Sequence, residues 1–263
     1  MHHSVPQPQS PVWTLAALTV LEGARHRLFW ILPGLVLVGL SLAGFAGSLA
    51  LTEAGPLRGA LLGAFLRLTG VILTAVYVLH SQSREYQDKG LELIFALPLT
   101  RTAYLLGKLA GYAVLVSCMV TVFAGVLLFF ADPMPVVVWG VSLLMELWLV
   151  VAFSLLVQWT IHALPAAFLL VLLFYLLARI LADLQWVGQG VLMPQGGLYW
   201  QAVNTTLAAI AWVLPSLDRF TRSEWLAYGS GGWDDLLFVL AQGSGYLLLL
   251  TGASLVDLYR KSL

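Results

Sequence analysis

Residues 83–108 read SREYQDKGLELIFALPLTRTAYLLGK, the longest run of mixed charge in a chain that is otherwise mostly hydrocarbon. Arg84, Glu85, Asp88 and Lys89 come first, and Gly90 follows them. Leu91, Leu93, Ile94, Phe95 and Leu97, set against Glu92, then form a short amphipathic piece. Pro98 ends it, because proline has no amide hydrogen and restricts the residue before it. Thr100 is placed to cap a helix that starts near Arg101. Long apolar runs flank the stretch on both sides, so a short helix here has to lie at an aqueous surface. Two readings are open: a solvated loop with an interfacial helix, or a docking surface for a soluble partner.

The flanking sequence sets the class. The 263 residues are 60% hydrophobic and 10% charged, with a mean hydropathy of +0.90. Soluble domains carry roughly 25% charge, so the chain reads as a single all-α, polytopic membrane domain. Apolar runs predict spans at about 28–51, 59–80, 102–131, 135–160, 166–184 and 236–256. The first holds 24 residues without a charge, enough for a hydrocarbon core of roughly 30 Å. Residues 1–11 read as a disordered tail. Residues 12–26 fit an amphipathic elbow helix with Trp13 on its apolar side, either lying in the interface or extending the first span. Residues 185–235 break the pattern. Within them Thr205–Leu214 is apolar but too short to span, and reads as a re-entrant or interfacial helix.

Six spans divide the basic residues unevenly. One side holds Arg25, Arg27, Arg84, Lys89, Arg101, Lys108, Arg260 and Lys261; the other holds Arg58, Arg219 and Arg222. The excess places both termini and residues 83–100 in the cytoplasm.

The order of residues in the opening stretch resembles the signature of ABC-2 type (ATP-binding-cassette) transporter permeases. The match lies in Arg84-Glu85, Gly90, Leu91-Glu92, Leu97-Pro98, Thr100-Arg101 and Leu105-Leu106-Gly107-Lys108. It departs from the family pattern in lacking a Thr after Gly90 and in having Thr100 where Ser is usual. The span pattern is broadly similar to that of the permeases of copper-enzyme maturation systems, although no Cys or Met cluster supports copper handling. The resemblance implies that residues 83–100 form a coupling helix. Arg84, Glu85, Gly90, Glu92, Pro98, Arg101, Gly107 and Lys108 are then the residues that couple to an ATPase subunit. It also implies a second permease subunit, identical or related, two ATPase subunits that bind ATP and Mg, and export or flipping of a substrate across a prokaryotic inner (plasma) membrane. An extracytoplasmic partner at residues 185–235 is a further expectation.

No nucleotide is expected on this chain itself. The only Gly-Lys pair, Gly107-Lys108, is followed by Leu109 and lacks the Walker pattern. Zero net charge gives no sign of nucleic acid, and the single cysteine, Cys118, forms no framework. The five histidines are scattered, and no nucleophile–base pair stands out, so the chain reads as a non-catalytic subunit. Two charges sit deep in spans. Counting inward from the outer ends, Arg67 lies about 12 Å and Glu146 about 16 Å down, so they form a candidate intramembrane pair. Such a pair either lines a substrate path or subunit interface, or fixes helix packing. Arg179 and Asp183, one turn apart, read as a pair at the outer rim. Gly107-x-x-x-Gly111 and Gly243-x-Gly245 read as close helix contacts. The rival classes are a membrane scaffold that passes ATPase motion to a partner protein, and a secondary transporter driven through Arg67 and Glu146.

Overall fold

Apolar runs of this length fold as helices because hydrocarbon offers the backbone no partner except itself. The computed structural model describes residues 11–25, 27–49, 54–87, 100–188 and 198–260, and among them the regular elements are all helical. They are α1 Pro11–Arg25, α2 Arg27–Leu49, α3 Ala54–Gln87, α4 Arg101–Leu127, α5 Pro133–Thr160, α6 Leu164–Gly188, α7 Leu198–Val213, α8 Ser223–Tyr228 and α9 Trp233–Arg260, with a 3₁₀ turn at Leu217–Arg219. Six of them, α2 to α6 and α9, are long and apolar enough to cross a membrane. The chain is a polytopic helical membrane protein. The tail at 1–10, the segment 88–99 with Gly90, Glu92 and Pro98, and Lys261 lie outside the described residues.

The central helix is α5, buried along most of its length and packed against α3, α4, α6 and α9. Around it α2, α6 and α9 keep leucines and aromatics exposed, among them Trp30, Phe45, Leu169, Leu173 and Leu248. A helix that is apolar on its outer face as well suits a lipid surround. Helix α3 is longer than its apolar run: its 34 residues extend past His80 to Gln87, about 51 Å at 1.5 Å per residue. Helix α4 is shorter than expected. It stops at Leu127, and Phe129 and Phe130 close a tight turn on the carbonyls of Val126 and Leu127. Thr100 caps α4 as expected, its Oγ1 accepting from the Ala103 amide at 3.2 Å. The short helix expected at Thr205–Leu214 is α7, which begins earlier, at Leu198, and has 16 residues, too few for a span. It packs on α6 and leaves Trp212 and Val213 exposed.

The amphipathic N-terminal helix is α1, and it runs lengthwise beside the first half of α4. Leu15 meets Gly107, Thr19 meets Gly111, and Gly23 meets Leu115, in constant register along both helices. A Cβ on Gly107 would stand 2.7 Å from the Leu15 Cβ, and one on Gly111 would stand 2.5 Å from the Thr19 Cβ. The pair Gly107 and Gly111 is therefore a close helix contact, as its spacing suggested. Of the other pair, Gly243 is covered by Met145, while Gly245 has open space around it. Gly111→Leu is expected to lever α1 away from α4, at the roughly 1–3 kcal/mol typical of overpacking. A fall in melting temperature, with faster proteolysis after Arg25, would register it. Equal melting and equal proteolysis would mean that α1 contributes nothing to the bundle.

Candidate functional site

Two buried polar clusters lie about 27 Å apart along α3, which contributes to both, one where α3 ends and one midway along α5. The first lies where α3 ends and α4 begins. Its core is Lys108, only 4% exposed, whose ammonium pairs with Glu85. Tyr104 donates its hydroxyl hydrogen to the same carboxylate at 2.6 Å. One turn back, Gln82 Nε2 donates to the Tyr112 hydroxyl at 3.1 Å. Tyr112 donates to Ser81 Oγ at 3.1 Å, and Ser81 donates to Glu22 of α1 at 3.3 Å. The helical repeat assembles these groups: Tyr104, Lys108 and Tyr112 follow at intervals of four on α4, and Ser81 and Glu85 do so on α3, so each set shares one face. Tyr77 adds an edge-to-face contact with Tyr112 at 5.8 Å.

Arg101 ties the same end to α9. Its guanidinium donates to the Leu258 carbonyl at 2.5 Å and lies 6.0 Å from the Tyr259 ring, while Thr102 Oγ1 and the Tyr259 hydroxyl are 3.0 Å apart. An arginine at a helix C-terminus satisfies end carbonyls and complements the helix dipole. The result is a rigid platform made from α1, α3, α4 and α9. Helix α3 ends at this platform and α4 begins at it.

The second cluster surrounds Thr221, in the chain between α7 and α8. Glu146, fully buried on α5, accepts from the Tyr175 hydroxyl at 2.8 Å and from the Thr221 hydroxyl. Arg179 of α6 donates to the carbonyls of Leu217 at 2.5 Å and Phe220 at 2.7 Å, and stands 3.9 Å from the Glu146 carboxylate. Arg67 of α3 donates to the Thr221 carbonyl at 3.0 Å, and the Thr221 amide donates to Ser142 Oγ at 2.9 Å. Every polar group of Thr221 is thus engaged, which is what lets an irregular segment lie inside a helix bundle. Thr221 has φ +41°. For a β-branched residue that is an outlier, and such strain costs on the order of 1–3 kcal/mol, held by the surroundings.

This geometry revises the sequence expectations. Arg67 and Glu146 do come to one cluster, but they meet through Thr221, and the ion contact of Glu146 is with Arg179. The expected rim pair of Arg179 with Asp183 does not form: Arg179 points to Glu146 and the loop carbonyls, and Asp183 is exposed. The reason is that α6 continues to Gly188, which places Arg179 deeper than a span ending at Leu184 would. Of the residues expected to couple, Arg84 is exposed, Glu85 is half-buried against Lys108, and Arg101 holds α9. Gly107 and Lys108 face inward, so they shape the platform.

No family model matches this chain, and no curated protein matches it either.

The clusters contain side chains that a reading of single motifs overlooks: Glu22, Ser81, Gln82, Tyr104 and Tyr112 in one, and Ser142, Tyr175 and Thr221 in the other. Among the described residues no group of three or more His, Cys, Asp or Glu gathers that could hold a metal ion. What both can do is transmit force, since each joins several helices through short polar contacts in an apolar medium.

Proposed function

We propose that this chain is the membrane-spanning permease subunit of an ATP-driven transporter of the ABC-2 type, which exports or flips a substrate. The observation that carries this reading is the meeting of the two ends of the motif. Glu85, near its start, and Lys108, at its last position, pair in the platform together with Tyr104. Helices α3 and α4, which flank residues 88–99 in the chain, are therefore tied together, and force applied between them is delivered to α1, α3, α4 and α9 at once. A soluble partner pushing on a loosely tethered loop would move the loop alone.

In this reading the chain hydrolyses nothing. Two ATPase subunits bind ATP and Mg, and a second permease subunit, the same or related, completes the assembly. The platform end carries Arg25, Arg84, Arg101, Lys108 and Arg260, so by the excess of positive charge it faces the cytoplasm of a prokaryotic cell, with both termini inside. Residues 185–235 then face outward, where an extracytoplasmic partner has access.

Arg84→Glu and Glu92→Lys test the docking. Both residues belong to the motif, and a melting scan of each variant separates lost docking from lost folding. ATP-hydrolysing activity that co-purifies with the tagged chain should fall by about tenfold or more, the scale for reversing an interface charge. Undiminished co-purification with both variants would remove residues 83–100 from the docking surface.

A further inference from the structure

We propose that the segment Ser216–Arg222 is a latch that shuts the space between α3, α5 and α6, and that α3 holds it through Arg67. The latch rests on contacts within this chain. Only the identity of what drives α3 depends on the transporter reading.

Four helices grip this short segment. Arg67 of α3 and Arg179 of α6 hold its carbonyls. Ser142 and Glu146 of α5 hold the amide and hydroxyl of Thr221. On α9, Gln242 donates to Ser216 Oγ at 3.3 Å, and Phe238 stacks under the Arg219 guanidinium at 4.9 Å. Leu217 and Phe220 are buried among these helices, with the Phe220 ring, like Met145, beside Gly243 of α9.

Three features distinguish a latch from an ordinary buried loop. Its grip is polar and directional, and charged hydrogen bonds in a dry site are either made or lost. Its hinge residue is strained: Thr221 occupies the left-handed region against the preference of a β-branched side chain, so the segment has a lower-strain conformation available once released. And Arg67 shares one unbroken helix with Glu85 of the platform, about 27 Å away along the axis. A shift or rotation of α3 at the platform reaches Arg67 undiminished, because α3 has no break between them. Withdrawing Arg67 removes one support of the Thr221 carbonyl and weakens the rest of the grip, which converges on the same residue. Release opens the space between α3, α5 and α6.

Thiol accessibility tests this without any ATPase or transported substrate, so the coupling reading can fail while the latch stands, and the reverse. Leu217→Cys and Phe220→Cys are made separately in a Cys118→Ser background, and the purified chain in lipid nanodiscs is treated with a membrane-impermeant maleimide. Leu105→Cys, buried at the platform end, is the control. Labelling at 217 and 220 is expected to be slow, as at 105. Arg67→Gln or Arg179→Gln should accelerate it about tenfold or more at 217 and 220, and leave 105 unchanged. If Arg179→Gln fails to fold, Arg67→Gln, which removes a single carbonyl contact, decides. Fast labelling at 217 and 220 in the otherwise unaltered chain, no acceleration in the arginine variants, or equal acceleration at 105 would each overturn the latch.

Discussion

Glu146→Leu is expected to be the most damaging single substitution inside the bundle. Glu146 is fully buried and serves three partners at once: the Tyr175 hydroxyl, the Thr221 hydroxyl and the Arg179 guanidinium. Leucine leaves two buried donors without an acceptor and one cation without its counter-charge. Breaking a buried pair by removing one member costs about 3–5 kcal/mol, a large share of the roughly 5–15 kcal/mol by which domains are stable. Glu146→Gln keeps the shape and one of the two acceptor contacts, since its amide nitrogen donates and cannot accept from the second hydroxyl, so its cost should be intermediate. Arg67→Leu should cost less than either, because it gives up one carbonyl contact, at roughly 1.5–3 kcal/mol for a hydrogen bond to a charged group. Double-variant melting then ranks the couplings. Glu146 with Arg179 should deviate strongly from additivity, and Glu146 with Arg67 only through their shared partner, Thr221. A Glu146→Leu variant that melts like the unaltered chain, or an Arg67 coupling as large as the Arg179 coupling, would refute this account of the cluster.

The six spans were legible because each is an apolar run of sufficient length, and hydrocarbon forces such a run into a helix. The helix ends were less so. Helix α3 extends to Gln87 through Ser81, Gln82, Ser83, Arg84 and Glu85, residues that hydropathy assigns to a loop. They remain helical because Ser81, Gln82 and Glu85 turn one polar face onto Tyr104, Lys108 and Tyr112. The local signals at Thr100 and at Gly107 with Gly111 were sufficient, since capping and close packing depend on a few neighbouring residues.

The partners of the buried charges were not legible from depth. Depth along straight spans brought Arg67 and Glu146 together and sent Arg179 to the rim. It omits the chain between α7 and α8, whose Thr221 fills the space between the two charges. A better signal was present. Ser142 and Glu146, Tyr175 and Arg179, and Tyr104, Lys108 and Tyr112 all recur at intervals of four, so each of these spans carries a polar stripe that must find another. Those stripes show which helix faces are polar, but pairing them requires the fold. The φ of Thr221 was beyond sequence altogether, because its residue type argues against it.

The other large effect is expected at the platform. Lys108 is nearly enclosed and Glu85 is 19% exposed, so the two singles should differ. Glu85→Leu strands an ammonium in an apolar site. It should approach the roughly 3–5 kcal/mol of a broken buried pair. Lys108→Met leaves a carboxylate that still accepts from Tyr104 and has some contact with water, and should cost less. Combining Glu85→Gln with Lys108→Met replaces both charges, while the introduced glutamine amide continues to accept from Tyr104. Replacing a buried pair by uncharged groups often changes stability little, so the double variant should melt near the unaltered chain. Under the transporter proposal, ATPase retention by the double variant then separates two roles for the pair. Retained ATPase with restored stability means the pair only ties α3 to α4. Restored stability with lost ATPase means that the charges themselves, or the pose they impose on the start of α4, are read by the partner. If the double variant is as unstable as Glu85→Leu alone, the two charges act independently, and the platform is held by its tyrosines and by the packing of α1 on Gly107 and Gly111.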